Sequence, residues 1–93
     1  MAFGKRIKEL REEKGLFLRE VGAALRLDNS FISKVENDER LLPRKHLERL
    51  AEFWNVPLEE LLVLWLSDKI RSIIENEVVG KRALKIVLKE LEK

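Results

Sequence analysis

Cysteine and tyrosine are absent from this 93-residue chain, histidine and methionine occur once each, and glycine and proline number only four and two. Without cysteine there are neither disulfides nor thiolate metal sites, which suits a reducing, cytoplasmic setting. The sole histidine, His46, has Lys45 beside it and Glu48 two residues on. No second strong metal ligand stands near it, so neither a metal nor another cofactor is expected. The longest apolar run, Leu61–Leu66, is far below the ~20 residues that cross a bilayer, and no membrane association is expected. No leader is expected either, because Met1–Leu10 already mixes three basic residues with an acidic one in an amphipathic pattern. A glycine-rich phosphate loop, a nucleophile–base set and a carboxylate pair at catalytic spacing are all missing, which argues against an enzyme.

What is abundant is Ala, Leu, Glu, Lys and Arg, the composition of an all-α chain. The length allows one domain with a modest core and a helical appendage. Net charge is only +2, but it is unevenly spread. Residues 1–45 carry +3, residues 46–66 carry −3 and residues 67–93 carry +2. One half is basic and the segment after it acidic, as expected of a chain with a single phosphate-facing side.

Apolar spacing then divides the chain into helices. Phe3, Ile7 and Leu10 give a first helix from about Ala2 to Lys14, closed by Gly15 as a left-handed C-cap. Val21, Ala24 and Leu25 share one face of a second, Leu18–Leu25. Ile32, Val35 and the edge of Phe31 share a face of a third, Asn29–Asn37, for which the Asp28 carboxylate is the expected N-cap. Only Arg26-Leu27-Asp28 separates the second and third helices. Two short helices joined by so tight a turn form a helix-turn-helix, whose second member can enter the DNA major groove. A polar loop over residues 38–44 contains Pro43, which disfavours helix before it. A fourth helix, about Arg44 to Trp54, presents Leu47, Leu50, Ala51 and Trp54. The fifth has Pro57 at its first position and carries Leu58, Leu61, Leu62 and Trp65.

These residues resemble the lambda-repressor-like helix-turn-helix proteins, of the Cro/CI or xenobiotic-response-element type. The likeness runs from Phe3-Gly4-Lys5-Arg6-Ile7 through Gly15-Leu16 and Phe31-Ile32-Ser33-Lys34-Val35-Glu36-Asn37. It continues at Arg40, Pro43, Leu47, Leu50-Ala51, Asn55-Val56 and Glu60-Leu61-Leu62, about two-thirds of the chain in order. The family carries a small polar residue and a phosphate-binding Gln where Phe17 and Leu18 stand, Ala at Gly22 and Gly at Asp38. The resemblance implies a five-helix DNA-binding domain ending near Leu66.

It also implies site residues. The family reads bases from positions that here are Asn29, Ser30, Ser33 and Lys34; Asn suits adenine, Lys suits guanine, and Ser suits several edges. Phosphate contacts are implied for Asn37, Arg40, Arg44 and Lys45, with Arg19 a weaker candidate. Arg11 and Glu36 match a pair that joins the first and third helices by a salt bridge, a structural role.

Beyond the domain, Leu66, Ile70, Ile73, Ile74 and Val78 form one stripe, and Leu84, Val87, Leu88 and Leu91 a second after Gly80. Ser67-Asp68 either caps a new helix or lies on a continuation of the fifth. The expected organisation is a helix-turn-helix domain over residues 1–66 and a helical extension over 67–93 that dimerises the chain. Leu62, Trp65, Leu66, Ile70, Ile73 and Ile74 are the expected interface, because the fifth helix and tail hold more apolar residues than one small core needs. The expected function is a transcriptional regulator binding double-stranded DNA as a homodimer on a palindromic operator. Control by protein concentration or a protein partner is favoured over control by a small ligand. The alternatives are an antitoxin-like subunit whose tail binds a partner protein, and, more remotely, a bundle that uses the shape without DNA.

Overall fold

The computed structural model describes residues 2–92, and these form six α-helices and one 3₁₀ turn with no strand among them. Helix α1 (Ala2–Glu13) buries Phe3, Gly4, Ile7 and Leu10, the stripe expected from their spacing. Gly15, at φ 65°, terminates it. The Gly15 amide donates to the Glu12 carbonyl and the Leu16 amide to that of Arg11, both at 3.0 Å, the paired bonds of a Schellman cap.

Helices α2 (Leu18–Leu25) and α3 (Asn29–Glu36) follow, each eight residues long. The Phe17 amide donates to Glu20 Oε1 at 3.1 Å, so Glu20 satisfies one orphan donor at the start of α2 while the Phe17 ring satisfies none. Arg26 closes α2 in the left-handed region at φ 58°. Asp28 occupies the N-cap of α3, but its carboxylate makes no capping bond there, contrary to expectation. Its backbone carbonyl instead accepts the Phe31 and Ile32 amides at 3.0 and 3.2 Å.

The fourth helix begins later than expected. Arg44–His46 form a 3₁₀ turn, and α4 runs over Leu47–Trp54. Pro57 is the N-cap of α5 rather than its first helical residue, since its ψ of 132° is extended. Helix α5 (Leu58–Ile74) passes through Ser67-Asp68 without a break. Helix α6 (Gly80–Leu91) is the last helix among the described residues. No helix among the described residues is long and apolar enough to cross a membrane.

The core gathers Phe3, Ile7 and Leu10 of α1, Val21 and Leu25 of α2, Ile32 and Val35 of α3, Leu47, Leu50 and Trp54 of α4, and Leu61 and Trp65 of α5. Leu42 joins it from the loop before the 3₁₀ turn. The Trp54 indole N–H is buried there and meets no acceptor among the described residues. Asp68, only 3% exposed, reaches from α5 to the start of α1 and accepts the Ala2 and Phe3 amides at 3.1 and 2.9 Å. A side chain some 65 residues away in sequence thus satisfies the amides that open this helix.

Close approach of α1 to α3 depends on Gly4. A Cβ there would lie 2.5 Å from the Val35 carbonyl oxygen and 3.0 Å from that of Glu36, both backbone atoms of α3. Gly4→Ala is therefore expected to destabilise the fold by about 1–3 kcal/mol, the usual cost of overpacking. Thermal denaturation followed by circular dichroism measures this, and an unchanged melting temperature would mean that α1 and α3 separate freely.

Candidate nucleic-acid interface

The turn between α2 and α3 is tighter than its length requires. The Leu27 amide donates to the Gly22 carbonyl at 2.8 Å, and a Cβ on Gly22 would come within 2.6 Å of the Leu27 oxygen. Glycine at this position, where the resembled family carries Ala, lets the turn fold directly back over α2.

That turn aims α3. Ile32, Val35 and Glu36 point inward, while Asn29, Ser30 and Lys34 are exposed and Ser33 is half-buried on the opposite side. Phe31 is half-buried against the core, so its ring is chiefly a packing element. A shallow hollow beside α3 is lined by Ser30 and Lys34 together with Arg40, Leu41 and Pro43. Two base-reading candidates and one phosphate candidate therefore meet at one place, with the Asp28 carboxylate at its edge.

The loop after α3 is bound to the helix it follows. The Lys34 carbonyl accepts the Glu39 amide at 2.8 Å and the Arg40 amide at 3.3 Å, which folds Arg40 back beside Lys34. Asn37 is exposed at the C-cap, and its amide donates to the Ser33 carbonyl at 3.0 Å. Asp38 adopts φ 63°, a left-handed turn residue where the resembled family has Gly. Arg44 and Lys45 are exposed on the 3₁₀ turn. Arg19 sits apart from the hollow, with its guanidinium carbon 4.8 Å from the Phe17 ring centre. Burial, assisted by the Lys45 charge, lowers the pKa of His46 and so disfavours a positive charge on this side chain.

Behind α3, Arg11 Nε and Nη2 donate to the two oxygens of Glu36 at 2.7 and 3.0 Å. Its remaining nitrogen, Nη1, donates to the Leu16 carbonyl at 2.9 Å. One guanidinium thus ties α1, the entry to α2 and the end of α3 together. The hydrogen bond to Glu36 raises the Arg11 pKa further, which favours the charged form of the guanidinium. With Glu36 turned inward and 93% covered, its charge is matched by Arg11 rather than directed to the outer face.

The residues expected to hold a dimer divide into two sets. Trp65 is 5% exposed in the protomer's own core, so its apolar surface is already spent within the chain, and its inclusion in the interface is corrected. Leu62 is partly buried against the same core. By contrast Leu66, Ile70 and Ile73 are exposed, Ile73 at 71%. Leu66 and Ile70 border an apolar groove between α5 and α6 that also takes in Val63, Ile74 and Leu84, while Ile73 lies outside it. Of the second stripe, Leu84 lines this groove while Val87, Leu88 and Leu91 remain exposed.

Sequence reasoning missed Asp68 and the true setting of Trp65. For Trp65 a signal existed, since Leu58, Leu61 and Leu62 place it on the core face of α5. Nothing local marked Asp68.

Among the described residues no group of three or more His, Cys, Asp or Glu is arranged to hold a metal ion. A family model described as a helix-turn-helix domain matches residues 4–64. Two curated relatives are HTH-type transcriptional regulators. PrpR of Mycobacterium tuberculosis is 32% identical over 85 residues, covering 83% of this chain and 18% of the relative. ImmR of Bacillus subtilis is 30% identical over 81 residues, covering 87% of this chain and 61% of the relative. The chain thus spans less than two-thirds of either relative's length. A hypothetical protein from E. coli has the same fold, with a TM-score of 0.70 at 21% identity over 100% of this chain and 98% of its own. On the match over residues 4–64, the chain belongs to the helix-turn-helix domain family, whose members among its relatives regulate transcription.

Proposed function

We propose that this protein is a sequence-specific transcriptional regulator that binds a palindromic operator as a homodimer, with α3 of each subunit in successive major grooves. The observation that carries the reading is the outward polar face of α3, Asn29, Ser30, Ser33 and Lys34, of which Ser30 and Lys34 meet Arg40 in one hollow. On this reading the α3 face selects bases, while Asn37, Arg40, Arg44, Lys45 and Arg19 hold phosphates and fix register. Function is by binding rather than catalysis, in the cytoplasm.

Exposed apolar residues on the α5–α6 side support the palindromic reading. Recognition helices about 34 Å apart need an interface away from the DNA-facing surface. The exposed Leu66, Ile70 and Ile73 offer one. A partner protein on the α6 face is the second reading, favoured by the exposure of Val87, Leu88 and Leu91. Light scattering on the purified chain separates the two, since a monomer at micromolar concentration supports the second.

A selection from random duplex DNA tests base reading. Lys34→Ala is expected to cost about 1–3 kcal/mol at the base pair it reads and relax preference there, while Arg44→Ala weakens all sequences alike. Equal losses for Lys34→Ala on selected and random DNA would remove it from the base-reading set.

A further inference from the structure

We propose that Trp65 is a positioning residue for the DNA-backbone grip, and that Lys69 is a further phosphate-contacting residue gathered by the same indole. The inference rests on the DNA-binding reading above and extends it to a helix, α5, that otherwise serves as core and interface.

The loop between α3 and the 3₁₀ turn carries Arg40 and leads directly into Arg44. Its first end is held by the Lys34 carbonyl, as described. Its other end is held by one side chain: Trp65 Nε1 donates to the Leu42 carbonyl at 2.6 Å, within the buried interior. Leu42 lies two residues from Arg40 and two from Arg44, so this bond fixes the midpoint between two phosphate candidates. Leu42 is 1% exposed, and its carbonyl has no water to turn to when the indole N–H is lost.

The same ring collects two cations. Arg44 Cζ lies 6.0 Å from its centre and Lys69 Nζ 4.9 Å. Neither Arg44 nor Lys69 has a carboxylate partner among the described residues. A cation against an aromatic ring is positioned without being neutralised, so its N–H groups stay available to an anion. Two uncompensated cations at one ring also repel each other, and a polyanion relieves that repulsion. The backbone of duplex DNA is the anion that the neighbouring α3 face already implies.

The test uses a fluorescein-labelled 30-base-pair duplex of random sequence, read by anisotropy across a salt series at a temperature where every variant is folded. Trp65→Phe keeps a ring and removes the N–H. It is expected to weaken binding about threefold to tenfold and to flatten the slope of log affinity against log salt by about 0.9 per chain, one phosphate contact. Lys69→Ala is expected to flatten the slope by a similar amount with an unchanged melting temperature. A purely structural role for Trp65 would lower the melting temperature and leave the slope as it is, and that result overturns the positioning role. An unchanged slope for Lys69→Ala overturns its phosphate contact.

Should Trp65→Phe fail to fold, the wild-type chain supplies a second measurement. Its two indole N–H resonances are compared with and without the random duplex. The Trp65 signal is expected to shift while that of Trp54, buried on α4, stays in place; equal shifts or none overturn the proposal. A wild-type chain that binds no duplex at low salt would overturn the DNA-binding reading itself, and this inference with it.

Discussion

Alanine at Glu36 or Arg11 is expected to cost the fold about 3–5 kcal/mol, the range found when one member of a buried ion pair is removed. Glu36 is 7% exposed and meets Arg11 through two hydrogen bonds at 2.7 and 3.0 Å. Arg11→Ala leaves the Glu36 carboxylate desolvated and unpaired. Glu36→Ala leaves a cation that still holds the Leu16 carbonyl but has lost its counter-ion. Converting both together, as Arg11→Met with Glu36→Leu, removes the charges as a pair and is expected to recover much of the loss. Chemical denaturation of the two single variants and the double variant reads the coupling directly. A useful contrast is the Arg6–Glu60 pair, bonded at 2.9 Å but with both side chains about a third exposed. Breaking that pair should cost under about 1 kcal/mol. If Glu36→Gln keeps the wild-type melting temperature yet abolishes DNA binding, Glu36 acts on DNA and not on the fold.

The second large effect is expected at Asp68. Asp68→Ala strands the Ala2 and Phe3 amides at the start of α1; the Phe3 bond is buried, where an orphaned donor costs about 1–3 kcal/mol, and the part-buried Ala2 amide adds a smaller loss. A loss of about 2–4 kcal/mol follows, with α1 fraying first, and hydrogen exchange at Phe3 and Ile7 should report it before global unfolding does. Asp68→Asn keeps an acceptor oxygen and should recover part of the difference. A variant with wild-type exchange rates along α1 would mean that the amides find water instead. The same bonds dictate where the tail can be cut. Deleting residues 67–93 would remove the α1 cap along with α6, whereas deleting 78–93 spares it and tests the dimer alone.

Much of this architecture could be read from spacing. The α1 stripe, the Gly15 terminus and the tight α2–α3 turn follow from local patterns of apolar residues and backbone-permissive positions. The polar face of α3 was legible for the same reason, since a short helix with Ile32 and Val35 inside must turn Asn29, Ser30 and Lys34 out. The Asp28 cap failed although the residue type suits the role, because its exposed carboxylate stays off the helix and only its backbone carbonyl bonds into it, at the Phe31 and Ile32 amides. Trp65 was misplaced although its spacing from Leu61 marked it as core, because the same apolar run on α5 also supplies a second, outward stripe at Leu66, Ile70 and Ile73. Asp68 was illegible in principle, as its partners lie at the far end of the domain. Local sequence cannot encode a cap delivered across the whole fold.

That distant cap also orders events in time. During synthesis α1 leaves the ribosome before α5, so its Ala2 and Phe3 amides wait for a carboxylate some 65 residues behind. At about 5–20 residues per second the delay is roughly 3–13 s, an age beside the submicrosecond relaxation of a helix. In that interval α1 can already bind α3 through Arg11, because Glu36 emerges far sooner. The nascent chain therefore passes through a stage in which the reading helix is set and the amino-terminal turn still frays. Only when α5 has been made does the bundle close, from its last-made core helix back onto its first.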